Sequence, residues 1–247
     1  MTSEPARPDP PPLTAAEQEK LLYTGELAIV GRVLDSSNAT YALEVTDGDA
    51  YSWAIYKPLA GERPLWDFEP GLYKRERAAF VLSEWLGWHL VPTTVVRVDG
   101  PMGVGSLQWF VEFDPAMHYF SLLRHAPETH DALLRMAVFD VVGNNTDRKG
   151  GHVLQAQEDG HVWGIDHGLC FAAEYKLRTV IWDFAGEDVP HDLLDDLAPL
   201  ADEVPDELAE LLSEREVRAL RRRTQRLLDT RRLPLDTTGH AYPWPLI

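Results

Sequence analysis

The chain has 247 residues, of which 45% are hydrophobic and 26% charged, and its formal net charge is −17. No apolar run approaches the ~20 residues of a membrane helix, so we expect no integral membrane association. The negative charge disfavours nucleic acid and anionic membrane surfaces as partners. Because there is a single cysteine, Cys170, no internal disulfide can form, and a reducing, cytoplasmic location is expected.

The first half of the chain predicts a short helix followed by strands. Residues 1–12 contain five prolines and predict a disordered leader. Thr14 and Glu17 have the spacing of a capping box for a helix over residues 15–23. Three strand-like runs with polar turns between them then predict an antiparallel meander. These runs are residues 26–34, 40–45 and 51–56.

The remaining elements change from strands to helices along the chain. A loop rich in Gly and Pro precedes an apolar helical stripe, and two more strands follow. These elements are the loop at 59–71, the helix at 72–87 and the strands at 93–98 and 106–113. Beyond them the pattern predicts a helix at 131–142, a hairpin from 153–156 and 161–165, and mainly one long helix at 205–233.

This order predicts an α+β fold with a strand-rich part before a helical part. It is the order of a bilobal protein-kinase-like fold, although many other α+β domains share it. On the kinase interpretation, residues 13–112 form the β-rich N-lobe with its hinge strand, and residues 113–247 form the helical C-lobe with the catalytic and metal-binding loops.

A kinase site requires a turn whose backbone N–H groups cover the phosphates of ATP. The candidate is Ser36-Ser37-Asn38, between the first two predicted strands. The alternative is an ordinary hairpin turn, which Ser and Asn favour by themselves.

A kinase site also requires a strand lysine that contacts the phosphates and a helix glutamate that holds it. Lys57 ends the third predicted strand, and Pro58 favours an extended backbone at Lys57. Glu76 lies on the next predicted helix, and we expect it to pair with Lys57. The alternatives are an exposed lysine at a strand end and a glutamate that faces solvent.

The strongest local signal in the sequence lies over residues 139–152, where a predicted helix leads into a loop that is dense in Asn, Asp and Gly. It contains Asp147, and the second strand of the predicted hairpin leads into Asp166 and Gly168, 19 residues later. This spacing suits a catalytic aspartate followed by a metal-binding Asp-x-Gly. The alternative is two unrelated aspartates in turns.

At these residues the chain resembles the type II phosphatidylinositol 4-kinases, within a wider group that includes HipA-like and CotH-like atypical kinases. The resemblance spans roughly residues 25–195 in collinear order. It implies a kinase fold, ATP with Mg²⁺ or Mn²⁺ as cofactors, Asp147 as the catalytic residue and Asp166 as a metal ligand. It also implies a hinge strand whose backbone contacts adenine, which covers Gln108, Phe110, Val111 and Glu112.

Two features depart from the family pattern. The fifth residue after the catalytic aspartate is a metal-binding Asn in kinases, whereas here it is His152. Because imidazole suits Mn²⁺ better than Mg²⁺, we expect a second metal ligand that prefers Mn²⁺. The cysteine-rich segment that is palmitoylated in the eukaryotic lipid kinases is also missing. With the negative charge, this favours a protein or soluble small-molecule hydroxyl as acceptor over a phosphoinositide lipid.

Two other functions remain open. His152 fits a pseudokinase that binds nucleotide without turnover, whereas the presence of Lys57, Glu76, Asp147 and Asp166 opposes that interpretation. The same site could also transfer an adenylyl group. Separately, eight arginines between Arg215 and Arg232 predict the solvated face of the last helix, with a patch for phosphate or an acidic partner as the alternative.

Overall fold

The computed structural model describes residues 13–33, 36 and 38–247. The predicted leader, residues 1–12, and Ser37 of the predicted phosphate turn lie outside the described residues. The chain forms two compact units. The first consists of the described residues up to Gly61 together with Thr93–Phe110, and the second of Glu62–Pro92 and Val111–Ile247. The predicted division into lobes after residue 112 stays a prediction.

The first unit is an antiparallel sheet with one helix on it. The helix α1 (Ala15–Thr24) begins at Thr14, where Thr14 and Glu17 form the predicted capping box. The sheet has the strand order β1-β2-β3-β5-β4. Its strands are β1 (Glu26–Val33), β2 (Thr40–Asp47), β3 (Ala50–Pro58), β4 (Thr94–Gly100) and β5 (Gly103–Trp109). The predicted meander is therefore confirmed as β1–β3.

The core of the first unit lies between the sheet and α1. Alternate residues of β2 and β3 point towards the helix, as expected for a sheet with one buried face. The buried residues are Leu21, Leu22, Leu43, Val45, Ala54, Tyr56, Val95 and Leu107.

The second unit is mainly helical. Its helices are α2 (Leu72–Trp85), α3 (Tyr119–His125), α4 (His130–Gly143), α5 (His191–Asp202), α6 (Asp206–Leu211) and α7 (Glu214–Thr230). The predicted hairpin is present as β6 (Val153–Gln155) and β7 (Val162–Gly164). The apolar face of α4 packs against α7, and α5 also packs on α7. Among the described residues, no helix is both long and apolar enough to span a bilayer.

Two sequence-based boundaries are wrong. The predicted helix at 205–233 is two helices, because Ser213 caps α7 and forms a capping box with Glu216. The strand predicted at 106–113 is shorter in the structure, where β5 ends at Trp109. Trp109 and Ala54 form the last residue pair between β5 and β3. Beyond Trp109, the chain continues towards an isolated bridge between Phe113 and Ala156.

Candidate active site

In the first unit, β3 and β5 hold Lys57 in a fixed extended backbone. Lys57 pairs with Ser106 in the antiparallel register. A Cβ atom at Gly105 would lie 2.5 Å from the Lys57 carbonyl oxygen, so only glycine permits this close approach of the two strands. The backbone position of Lys57 is therefore set by a rigid sheet, as a lysine that contacts phosphate requires.

The predicted phosphate turn and hinge strand stay predictions. At the turn, Ser36 Oγ lies 2.7 Å from Oγ1 of Thr40. Of the predicted hinge residues, Gln108 lies in β5, which ends at Trp109, before Phe110. At the end of β5, the Gln108 side chain donates to Thr94, and the Phe110 N–H donates to the Trp53 carbonyl.

The last two residues of the predicted hinge belong to the second unit. Val111 is half-buried. The Glu112 carbonyl accepts from Gln157 N–H at 3.0 Å, so this carbonyl already has a backbone partner.

In the second unit, the end of α4 shapes the loop that carries Asp147. The helix ends at Gly143, and Asn144 takes a left-handed conformation with φ of 52° as its C-cap. The Asn145 side chain donates to Asp140 and accepts from the Asp147 N–H at 3.0 Å. The Asn145 side chain thereby connects the backbone of Asp147 to Asp140 in the last turns of α4.

The Asp147 carboxylate lies in a half-buried position beside a cation. Burial raises the pKa of the Asp147 carboxyl, and the Lys149 ammonium, 2.9 Å from Asp147 Oδ2, opposes that rise. Asp166 adds to the upward shift through its negative charge. Lys149 therefore favours the ionised form, which is the form that can accept a proton from a hydroxyl.

Arg148 joins the loop that carries Asp147 to the segment that carries Asp166. Its side chain is fully buried and pairs with the buried Asp140 at 3.0 Å. Its Nη1 donates to the carbonyls of His152, at 3.2 Å, and Ile165, at 2.8 Å. Burial lowers the pKa of Arg148, but the charge of Asp140 outweighs this, so the pKa is raised overall.

Asp166 lies directly after this anchored segment. Its φ of 60° is left-handed, which is uncommon for a residue with a side chain and is frequent at functional sites. Its Oδ2 is 3.2 Å from Nε2 of His152, so the two predicted metal ligands are brought together. Nδ1 of His152 faces the Lys149 N–H at 3.4 Å.

The 3.2 Å between Oδ2 of Asp166 and Nε2 of His152 is close to the separation of neighbouring ligands on one divalent cation, and it equally matches a direct ion pair. Neighbouring ligands that are ~2.1 Å from an octahedral cation are about 3 Å apart. Coordination of a cation through Nε2 of His152 requires the ring proton to lie on Nδ1, where it faces the Lys149 N–H. Because Nδ1 is 3.4 Å from the Lys149 nitrogen, the repulsion between the two N–H groups opposes this tautomer only weakly. Within the described ranges, no group of three His, Cys, Asp or Glu residues forms a metal centre. Two protein ligands leave positions for phosphate oxygens and water.

Glu76 holds the backbone next to Asp166. The residue is 2% exposed, and its Oε2 accepts from the His167 N–H at 3.0 Å. A Cβ atom at Gly168 would lie 3.3 Å from Glu76 Oε1, so glycine lets the two elements approach. Glu76 therefore supports the backbone of the predicted metal-binding segment, a role that the sequence did not predict. The expected pairing of Glu76 with Lys57 stays a prediction.

Sequence reasoning gave no role to Arg148 or to Asn145. Because arginine side chains are rarely buried, an arginine next to a loop aspartate is expected to be exposed to solvent. A usable signal was Asp140, an acidic residue on the otherwise apolar α4, since a carboxylate on a buried face requires a partner.

Residues 73–230 match the family described as phosphatidylinositol 3- and 4-kinase. The match covers more than half of the chain and includes Glu76, Asp147, His152 and Asp166. The chain belongs to this kinase family. It is also 41% identical to the protein Rv2133c of Mycobacterium tuberculosis over 268 residues, which covers 93% of this chain and 95% of that protein.

Solved structures show which fold the family member has. The Golgi casein kinase with Mn/ADP bound matches 94% of this chain and 80% of its own, with a TM-score of 0.60 and 14% identity. The hydra Fam20 structure with sugar matches 87% of both chains, with a TM-score of 0.58 and 12% identity.

The Helicobacter pylori proinflammatory kinase CtkA matches 85% of this chain and 94% of its own, with a TM-score of 0.50 and 12% identity. The predicted α+β, bilobal kinase-like fold is confirmed. The particular closeness to type II phosphatidylinositol 4-kinases stays a prediction.

Proposed function

We propose that the chain is an ATP-dependent phosphotransferase that passes the γ-phosphoryl group to a hydroxyl of a protein or a soluble small molecule. The observation that carries this proposal is the arrangement in the second unit, where buried Arg148 anchors both the segment before Asp166 and the loop that holds Asp147. An ion pair buried this completely keeps two loops in fixed positions, and catalytic side chains need that fixed geometry.

Asp147 is the residue that we assign to the acceptor. Its Oδ2 is bonded to Lys149, so we assign Oδ1 to the acceptor hydroxyl, whose proton the carboxylate takes as the oxygen attacks. Asn145 fixes the backbone at Asp147 and so sets the direction of the carboxylate.

Asp166 and His152 are the residues that we assign to a divalent cation, Mg²⁺ or Mn²⁺. When bound, such a cation neutralises negative charge on the phosphates. The structure of the Golgi casein kinase holds Mn and ADP, which supports nucleotide and metal as cofactors here. Glu76 keeps the Asp166 segment in place through the His167 N–H.

The nucleotide itself is assigned to Lys57, the turn at 36–38 and the hinge residues. We expect Lys57 to contact phosphate, and the turn to cover the phosphates with its N–H groups. Adenine is assigned to the backbone of Gln108, Phe110, Val111 and Glu112. Since the Glu112 carbonyl is bonded to Gln157, the other hinge residues are the stronger candidates for adenine.

The test is nucleotide turnover with Mn²⁺ by the full chain and by Asp147→Asn. We expect the wild type to release ADP and the variant to lose at least about 100-fold in rate, the contribution of a general base. Asp159→Asn, at the exposed turn of the hairpin, is the control with the same charge change and keeps the wild-type rate.

Mass spectrometry of candidate acceptors separates the alternatives. An added phosphate supports the proposal, whereas an added AMP with release of pyrophosphate identifies an adenylyl transferase. Nucleotide binding without any release of ADP or pyrophosphate by the wild type identifies a regulatory module and contradicts the proposal.

A further inference from the structure

A cavity of about 730 Å³ lies in the second unit beside α7. Its apolar lining includes Val141 from α4, Leu227 from α7, and Leu233 and Leu235 from the segment that follows. The volume falls in the range of small-molecule sites, which are mostly apolar with a few polar groups that orient the ligand. None of these residues has a role in the proposed phosphoryl transfer.

The polar lining of this cavity is basic in a chain whose net charge is −17. Arg222 and Arg226 are one helical turn apart on α7, where like charges repel each other. Within the described part of the chain, neither arginine side chain has a hydrogen-bonded or ion-paired partner. Both side chains are exposed, and an anion between them would reduce the repulsion and accept charge-assisted hydrogen bonds in place of water.

Arg223 adds a third, more deeply placed guanidinium. Its Nε donates to the Val142 carbonyl at 2.8 Å and its Nη1 to the Ala172 carbonyl at 3.1 Å. Among the described residues, its buried Nη2 has no acceptor. Burial lowers the pKa of Arg223 to about 10, and the neighbouring charge of Arg222 adds to the lowering.

Two neighbouring carboxylates are paired with other arginines, Asp188 with Arg232 and Glu216 with Arg75. Asp236 accepts hydrogen bonds from Thr238 and its neighbours and keeps its negative charge. Arg232, which also lines the cavity, is thus already paired. Among the described residues, no carboxylate is hydrogen-bonded to Arg222, Arg223 or Arg226, so these guanidinium groups can bind an anionic ligand.

We propose that this cavity binds a small amphipathic phosphate monoester, with the phosphate on Arg222 and Arg226 and the apolar group against Leu227 and Leu233. A phosphate dianion has three terminal oxygens and suits several guanidinium groups, whereas a carboxylate has two. Tyr175, which is 58% exposed at the rim, provides a further surface for the apolar group. A soluble ester and the headgroup of a lipid share this chemistry.

Titration calorimetry of the full chain with hexyl phosphate tests the proposal. We expect saturable one-to-one binding, at least about tenfold tighter than that of inorganic phosphate or hexyl glucoside, since each of these lacks one of the two recognised parts. Arg222→Gln and Arg226→Gln should each weaken binding about tenfold, through loss of charge-assisted hydrogen bonds. Arg221→Gln is the matched control, because Arg221 lies on the same helix, is exposed and bonds to the Ala201 carbonyl.

Equal binding of hexyl phosphate and hexyl glucoside overturns the proposal, and so does unchanged affinity in Arg226→Gln. Cosedimentation with phosphatidylcholine vesicles that contain phosphatidic acid distinguishes the sources of the phosphate. Vesicle binding that Arg226→Gln abolishes supports a lipid headgroup, whereas binding of hexyl phosphate without vesicle binding supports a soluble ester. Because no readout involves ATP turnover, failure here leaves the proposed kinase activity to its own test.

Discussion

At the scale of single residues, the buried pair of Arg148 and Asp140 links the loop that carries Asp147 to the segment before Asp166. Removal of the guanidinium leaves the Asp140 carboxylate buried without its charged partner, and it removes the hydrogen bonds of Arg148 to the carbonyls of His152 and Ile165. We expect Arg148→Ala to reduce the free energy of unfolding by about 3–5 kcal/mol. Urea denaturation followed by circular dichroism measures this change.

The control for that variant is Arg218→Ala, whose exposed side chain pairs with Glu214 one turn away. Such surface pairs contribute about 0.3–0.5 kcal/mol, so the control should stay near the wild type. A loss in Arg148→Ala no larger than that in the control would show that the buried pair does not hold the loops.

His152 is the residue at which the family pattern and the sequence disagree, and the structure places it 3.2 Å from Asp166. If its imidazole is a ligand, turnover prefers Mn²⁺, and His152→Asn shifts the preference towards Mg²⁺ because an amide oxygen is a harder donor. The ratio of rates with the two metals measures this preference. His161→Asn, in the β6–β7 hairpin, is the control with the same substitution and should keep the wild-type ratio. An unchanged ratio in His152→Asn would assign His152 to orienting Asp166 only.

At the scale of elements, the capping box at Ser213 separates α6 from α7 and orients the helix that carries the arginine cluster. The Ser213 hydroxyl accepts from the Glu216 N–H, and the Glu216 carboxylate accepts from the Ser213 N–H. Ser213→Ala should cost about 1 kcal/mol in the free energy of unfolding. Ser52→Ala is the control, because its hydroxyl donates only locally to the Trp53 carbonyl. Equal denaturation midpoints for Ser213→Ala and wild type would contradict this role of the cap.

At the scale of the whole molecule, nucleotide and metal should stabilise the fold through a single site at Asp166. Ligand at 100 times its dissociation constant stabilises a protein by about 2.7 kcal/mol, which corresponds to a rise of roughly 5–10 °C in Tm for a chain of this size. We expect ADP with Mn²⁺ to raise the Tm of the wild type and to leave that of Asp166→Asn nearly unchanged. Differential scanning calorimetry measures this shift, with Asp159→Asn as the control. A full shift in Asp166→Asn would remove Asp166 from the metal site.

The sequence by itself determined the meander of β1–β3, the helix that carries Glu76 and the loop that carries Asp147. These features depend on local signals, namely alternation of apolar residues, turn residues and caps, which act over a few positions. The same local signals related Asp147 to Asp166, because the short hairpin of β6 and β7 fixes how far apart the loop and the second strand can be. His152 was assigned to this group through the family pattern and not through a local signal.

Only the tertiary structure decided what supports that group and where the arginines of α7 point. Arg148 is buried because Asp140, eight residues earlier on α4, provides its charge partner, and burial of a charge depends on all the surrounding elements. Glu76 bonds to the His167 N–H, 91 positions away, although its sequence neighbours indicate only a helix. Long-range packing brings such groups together, and the residues within one helix or loop do not contain that information.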